Sequence, residues 1–190
     1  MNLFFDTETT GIPRNYKAPV TDLRNWPRLV QLAWLLTDTH GTEIASAEYV
    51  VKPEGFVIPN DAAKIHGITT AKAQHIGVAL QFVLGEVVAN IQQASVLVAH
   101  NMQFDEKILG AELLRSGQSN VIASKERRCT MQAATNFCRI PGPYGYKWPT
   151  LQELHLKLFN EPFVGAHQAL VDVRACSRCY FELKRRKVVA

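Results

Sequence analysis

Apolar residues fall into short runs that predict three strands in the first part of the chain. Leu3-Phe4-Phe5 is a short apolar run that ends in acids, which suggests a central strand. The run from Leu29 to Leu36 is almost continuously apolar, as is typical of a strand covered on both faces. Glu43 to Val51 predicts a third strand, and His40-Gly41-Thr42 predicts a turn before it.

The remaining chain shows helical periodicity and one further apolar strand. Phe82, Val83, Val87 and Ile91 stand at helical spacing and predict an amphipathic helix over residues 79–91. A fourth strand is predicted at residues 96–99, just before His100. Helical patterns follow at residues 104–114, 130–138, 150–159 and 169–185, and the Gly- and Pro-rich stretch 140–145 predicts a loop without regular structure.

This order of elements predicts a single α/β domain with a mixed sheet over residues 1–190. A chain of this length can bury one substantial core and is too short for two ordinary domains. Sites in such sheets gather where strands end in loops. Functional residues are therefore expected after Phe5, after Ala99 and around His167.

Composition is that of a folded protein, with 47% hydrophobic and 20% charged residues, and excludes a disordered chain or a disulfide scaffold. The net charge of +4 is compatible with a phosphate-rich partner but does not require one. No apolar run approaches the roughly 20 residues of a membrane span, and Met1 to Asp6 lack the basic start of a signal peptide. We therefore expect a cytoplasmic protein with no membrane contact and four reduced cysteines, Cys129, Cys138, Cys176 and Cys179.

Two acids alternate at the end of the first predicted strand. Residues two apart on a strand point to the same side, about 6.5–7 Å apart, so Asp6 and Glu8 project in one direction. Neighbouring carboxylates repel and raise each other's pKa unless cations lie between them, and oxygen ligands favour Mg²⁺ or Mn²⁺ over zinc. Such triplets are common, and alone this one is as well explained by a solvated strand end.

Two further acids occupy similar positions later in the chain. Asp105 follows an apolar strand and opens a helix, where an acid is ordinary because it stabilises the free amide groups. Asp172 opens the last predicted helix, five residues after His167. Within one helix those two residues would lie roughly 140° apart, so we place His167 on the loop before the helix.

Together the three places predict a two-metal site. Four carboxylates can hold two cations about 3.5–4 Å apart on either side of a scissile phosphate. A histidine that titrates near neutrality can take the proton from the attacking water.

Three motifs resemble those of the DEDDh exonuclease family, which includes the proofreading subunits of bacterial replicative polymerases. They are FDTETTG (Phe5 to Gly11), HNMQFD (His100 to Asp105) and HQALVD (His167 to Asp172), and the resemblance extends from Asn2 to about Leu183. It implies a ribonuclease-H-like fold with a five-stranded mixed sheet flanked by helices. It also implies 3′→5′ polarity and release of nucleoside 5′-monophosphates.

The resemblance assigns catalytic roles by position. It implies two divalent cations, Mg²⁺ or Mn²⁺, with Asp6, Glu8 and Asp172 holding the catalytic one. Asp6 would bridge to the second ion, which Asp105 would support largely through water. His167 would be the general base.

The resemblance also implies a pocket for the terminal nucleotide. Thr9 would contact the 3′-terminal sugar hydroxyl. Asn101 would support the residues that contact the metal and the substrate. Ile65, His66 and Phe104 would sandwich the last base, a contact that tolerates any sequence.

Some positions depart from the family pattern. Gln168 stands where many members carry Asp or Asn, and we expect little effect because it is not a predicted ligand. Residues 13–27 form a longer and more polar segment than in the polymerase subunits, which suggests a substrate-side flap or a partner contact. The polymerase subunits usually carry an additional docking tail, whereas this sequence ends soon after its last predicted helix, so association with a polymerase or clamp is an alternative that the sequence does not support.

Three other functions compete with a 3′→5′ exonuclease that prefers single-stranded DNA. An RNA 3′-trimming enzyme of the RNase T or oligoribonuclease type shares the same catalytic set, so the active site does not separate DNA from RNA. An inactive nucleic-acid-binding module predicts damage at a catalytic position, and none is damaged. An internally cutting RNase H enzyme does not explain His167 placed five residues before Asp172.

Two minor features favour structural roles. Cys176 and Cys179 have a metal-like spacing but lie inside a predicted helix, so we predict packing cysteines. Trp148, Trp26 and Trp34 could stack on a base, although the apolar run around Trp34 favours the core.

Overall fold

The core of the protein is a five-stranded mixed sheet. The structure, a computed structural model, describes residues 1–165 and 168–189. Its strands are β1 (Asn2–Thr9), β2 (Leu29–Thr37), β3 (Glu43–Val50), β4 (Val96–Ala99) and β5 (Glu126–Cys129). They are ordered β3-β2-β1-β4-β5, with β1, β2 and β3 antiparallel and β4 and β5 parallel to their neighbours. The mixed sheet implied by the resemblance is confirmed.

The extent to which each strand is buried explains whether the pattern of apolar residues predicts it. All nine residues of β2 are buried, as its continuous apolar run predicts. By contrast, β5 is an edge strand in which Glu126, Arg127 and Arg128 are exposed. Because this strand buries little, it carries no apolar alternation, and the periodicity of the chain predicted only the other four strands.

Helices cover both faces of the sheet. They are α1 (Asn60–His66), α2 (Thr70–Ile76), α3 (Leu80–Gln93), α4 (Met102–Arg115), α5 (Thr130–Ala133), α6 (Thr135–Cys138), α7 (Leu151–Phe159) and α8 (Ala169–Arg185), with a 3₁₀ turn at Val121–Ser124. The predictions of α3, α4, α7 and α8 are confirmed. The single helix predicted over residues 130–138 is wrong, because the segment forms two short helices that meet at Ala134.

The prediction of an irregular loop at residues 140–145 is also wrong. Pro141–Gly142 (β6) pairs with Gly145–Tyr146 (β7) in a short antiparallel hairpin. Gly145 has φ +122°, and a Cβ on Gly142 would lie 3.1 Å from the Gly145 carbonyl oxygen. The glycines therefore permit a tight hairpin here instead of preventing regular structure.

The alternation of β1 assigns its side chains to two different helical layers. Leu3 and Phe5 belong to the large core under α3 and α4, whereas Phe4 packs with Val173 and Tyr180 of α8. The residues that continue the Phe4 row are Asp6 and Glu8. The strand thus directs both acids toward the layer that contains α8.

None of the helices within residues 1–165 and 168–189 is long and apolar enough to cross a membrane. Cys176 and Cys179 lie buried in α8 as free thiols, which agrees with a packing role. Burial raises the pKa of Cys179 to about 12.

Candidate active site

The two ends of the chain meet at a cluster of carboxylates. Asp172 lies in the first turn of α8, which packs against β1. Asp6, Glu8 and Asp172 each offer a carboxylate oxygen within 4.8 Å of the other two. The structure therefore brings together three of the four acids that the sequence predicts as metal ligands.

Asp105 approaches the same place from the other side of β1. It lies in the first turn of α4 and is only 3% exposed. Its Oδ1 accepts hydrogen bonds from the backbone N–H and the hydroxyl of Thr7, at 3.1 and 2.7 Å. Asp105 is not one of the residues whose oxygens lie within 4.8 Å of one another, so it stands beside the three-acid cluster.

Burial and repulsion make the acids hard to ionise without a cation. Burial raises the pKa of Asp6 well above its usual value, and repulsion from Asp105 acts in the same direction. Burial raises the pKa of Glu8 to about 7, with repulsion from Asp172 as a further cause. The pKa of Asp105 also rises to about 7 through burial, against the hydrogen bonds from Thr7. A cation between these groups would relieve this cost, since it favours the charged form of every one.

A cavity of about 260 Å³ opens beside the cluster. Asp6 and Asp172 form its acidic wall. The other lining residues are His100, the start of α7 and Phe163, none of which is a predicted site residue, although His100 lies directly after Ala99, where functional residues are expected. Of these residues, only His100 could have been identified from the sequence, because it begins the HNMQFD motif.

His100 connects three segments around this cavity. Its Nδ1 lies 2.9 Å from the Thr130 hydroxyl and its Nε2 lies 3.0 Å from the Pro149 carbonyl oxygen. Burial lowers the pKa of His100 to about 4, so the ring is neutral at physiological pH. His100 therefore holds the end of β4, the start of α5 and the chain before α7 together without changing charge.

Two residues of the predicted nucleotide pocket are neighbours. The Thr9 hydroxyl donates to the Gly11 carbonyl oxygen at 2.6 Å. Burial lowers the pKa of His66, and the nearby Thr9 backbone opposes that shift. His66 is 9% exposed and its Nδ1 accepts from the Ile68 N–H at 3.2 Å, so its ring is fixed beside the first motif.

The other three predicted pocket residues are Ile65, Asn101 and Phe104. Ile65 is 64% exposed at the end of α1. Asn101 precedes α4 in the left-handed conformation, with φ 87°, and Phe104 packs partly against the large core. None of these three lines the 260 Å³ cavity within the described residues. His167 lies outside the described residues, and its role stays a prediction.

Residues 3–180 match the family model described as "Exonuclease", RNase T. The chain belongs to this exonuclease family. The resemblance to DEDDh exonucleases drawn from the three motifs is thereby confirmed at the level of the family. No curated protein sequence matches the chain significantly.

Solved structures show the same fold for this exonuclease-family chain. E. coli Exonuclease I in complex with a dA16 oligonucleotide aligns with a TM-score of 0.77 and 20% identity, over 98% of this chain and 41% of that chain. Its zinc-bound form with single-stranded DNA gives 0.75 and 20%, over 98% and 40%. Exonuclease I from Methylocaldum szegediense gives 0.74 and 22%, over 98% and 40%. The fold is ribonuclease-H-like, and the chain spans about two-fifths of those proteins' length.

Proposed function

We propose that residues 1–190 form one exonuclease domain that removes nucleotides from the 3′ end of single-stranded DNA as nucleoside 5′-monophosphates. The observation that carries this proposal is the Asp6, Glu8 and Asp172 cluster, whose oxygens lie within 4.8 Å of one another in a chain of the exonuclease family. A cluster of this kind has no stabilising role in the apolar layer under α8, because its charges repel.

The donor set fits hard divalent cations. All the available ligand atoms are carboxylate oxygens, which Mg²⁺ and Mn²⁺ prefer. Asp6, Glu8 and Asp172 would hold one ion, and Asp6 together with Asp105 would hold a second. When bound, such a pair stabilises charge on the attacking and leaving oxygens of the phosphodiester.

The remaining residues would orient the substrate and move the proton. His167 would accept the proton of the attacking water, and neutral His100 would keep the cavity wall in place. The pocket residues Thr9, Ile65, His66, Asn101 and Phe104 would receive the terminal nucleotide. The fixed ring of His66 beside Thr9 supports this assignment, because it places an aromatic surface next to the metal ligands' strand.

We favour single-stranded DNA as the substrate because of the oligonucleotides with which the structural neighbours are described. E. coli Exonuclease I is described with dA16 and dT13 oligonucleotides. An RNA 3′-trimming activity is the second candidate, since the RNase T family model covers most of the chain. DNA and RNA of equal sequence, digested side by side, separate the two, and faster loss of RNA would overturn the preference for DNA.

The central experiment is digestion of 5′-labelled single strands with an open or a blocked 3′ end, with and without Mg²⁺ or Mn²⁺. We expect metal-dependent shortening of the open strand only. Asp6→Ala should remain folded and lose activity, whereas Glu54→Gln, an exposed acid outside the cluster, should act as wild type. An active Asp6→Ala protein, or cleavage of a circular strand, would contradict the proposal.

A further inference from the structure

The β6–β7 hairpin carries an exposed row of aromatic side chains. Tyr144 is fully exposed, Tyr146 is 50% exposed and Trp148 is 57% exposed, all within five consecutive positions. The chain buries its other tryptophans, Trp26 and Trp34, to 3% and 4% exposure. Because large aromatic side chains usually contribute to a core or an interface, this row is not explained by folding.

The hairpin presents these rings on a fixed backbone. The Lys147 N–H donates to the Ile140 carbonyl oxygen at 2.9 Å, which extends the pairing of β6 and β7 by one step. Pro149, which directly follows Trp148, is buried. Tyr146 and Trp148 stand two residues apart, the spacing at which extended chain directs side chains to one side.

The aromatic row leads directly into the acidic cavity. The Pro149 carbonyl oxygen lies 3.0 Å from Nε2 of His100, and Thr150 lines the cavity together with Asp6. Trp148 is two residues before Thr150, so the Cα atoms of these two residues lie at most about 7 Å apart. The hairpin is thus continuous with the candidate active site.

The surroundings of the row favour a polyanion over an apolar partner. Lys147 is exposed just after β7, and Arg139, which caps the C-terminus of α6, is exposed two residues before β6. Lys147 lies 2.6 Å from Glu153, whereas Arg139 forms no ion pair with any residue in the part of the chain that the structure describes. Exposed rings interspersed with cations are the surface that single-stranded nucleic acids bind, through stacked bases and neutralised phosphates.

We propose that this hairpin binds the nucleotides upstream of the one being removed, with the exposed rings of Tyr144, Tyr146 and Trp148 stacking on their bases. The inference rests on the proposed exonuclease function and adds a second binding region to it. The hairpin holds the strand while the terminal nucleotide lies at the acids. Stacking on rings does not read sequence, so the hairpin serves a strand of any composition.

Tryptophan fluorescence tests the contact directly. Trp148 is the exposed tryptophan, so a 12-nucleotide oligo(dT) should quench the emission of the Glu8→Gln protein, which does not cleave it. Trp148→Phe should abolish the quenching but keep affinity, because phenylalanine still stacks. Tyr144→Ala combined with Trp148→Ala should weaken binding about thirtyfold or more, as loss of two base–aromatic stacks predicts. Unchanged affinity in that double variant would overturn the proposal and leave the row as a surface for another partner.

Kinetics on two substrates separate this inference from the proposed function. The double variant should lose about thirtyfold or more in kcat/KM on the 12-mer and act as wild type on the p-nitrophenyl ester of thymidine 5′-monophosphate, which has no upstream nucleotide. Phe82→Ala is the matched control, because Phe82 is 51% exposed on α3, where it packs on Tyr49. Equal losses on both substrates would contradict the inference. A wild-type protein that cleaves neither substrate would contradict the proposed function instead.

Discussion

Glu8 shows how a single residue can couple stability to pH. Its carboxyl has a pKa of about 7 in the folded protein against a usual 4.5, because it is partly buried beside Asp172. Below pH 4.5 the group is protonated in both the folded and the unfolded state, so it does not change the free energy of unfolding. As the pH rises from there to about 7, the unfolded chain releases the proton first and the folded state loses stability.

We therefore predict that Glu8→Gln stabilises the metal-free protein at pH 8. The full shift would correspond to about 3 kcal/mol, and solvent contact reduces this to about 1–2 kcal/mol. Thermal unfolding in EDTA should show a higher Tm for the variant at pH 8 and no difference near pH 4.5. A variant less stable than wild type at pH 8 would mean that the acids do not repel.

His100 provides a residue-scale prediction about positioning. His100→Ala leaves the Thr130 hydroxyl and the Pro149 carbonyl without their ring partner, so the cavity wall should loosen. We expect about 1–3 kcal/mol of lost stability and a fall in kcat/KM of about tenfold, measured by urea unfolding and by DNA digestion. The pH profile of the remaining activity should keep its shape, because the ring is neutral above about pH 4. A displaced profile would show that His100 exchanges a proton during the reaction.

At the scale of elements, Glu112 of α4 anchors the segment formed by residues 13–27. Its buried carboxylate accepts from Nε of Arg28 at 2.8 Å, from the Leu29 N–H at 3.0 Å, and pairs with Arg115 at 3.0 Å. Arg115 in turn donates to the carbonyl oxygens of Leu23 and Trp26, both at 2.6 Å. The segment that sequence alone suggests as a flap is thus held to α4 at its C-terminal end.

Glu112→Ala should be strongly destabilising for this reason. It leaves two arginines near a buried apolar site without their carboxylate, and such losses cost on the order of 3–5 kcal/mol. Urea unfolding measures the change, with the exposed Glu54→Ala as a control that should stay near wild type. A loss below about 1 kcal/mol would show that the carboxylate is not the anchor.

The spacing of apolar residues predicted the elements whose buried residues recur regularly along the sequence. It missed the elements whose buried residues do not. In α3, Val83, Val87 and Ile91 are buried at helical spacing, although Phe82, which the same pattern included, is 51% exposed. In α1 only Ala62 and His66 are buried within seven residues, so no period could develop. The three acids that converge were found by their positions at the ends of apolar runs. Phe163 was not, because a phenylalanine in a loop carries no signal of what it faces.

At the scale of the whole molecule, the cluster should make metal a stabilising ligand. A cation that binds only the folded state adds stability as RT ln(1 + [L]/Kd), about 2.7 kcal/mol at a hundredfold excess over Kd. We predict that Mn²⁺ or Mg²⁺ raises the Tm of the wild-type protein in a saturable way. Asp6→Asn should respond weakly or not at all, since it removes one of the carboxylates proposed to bind the metal. An equal response in both proteins would place the metal elsewhere.

The alternation of β1 also limits how this protein can change over time. Phe5 fills the core on one side while Asp6 points to the other, so a single residue gained or lost before Asp6 would exchange the two directions. Carboxylates would then enter the apolar layer and phenylalanine would replace them at the catalytic surface. An alanine inserted after Phe4 should therefore yield insoluble protein instead of a folded, inactive one. Insertions and deletions can be tolerated in the surface loops. Along β1, only substitutions preserve the direction in which each side chain points.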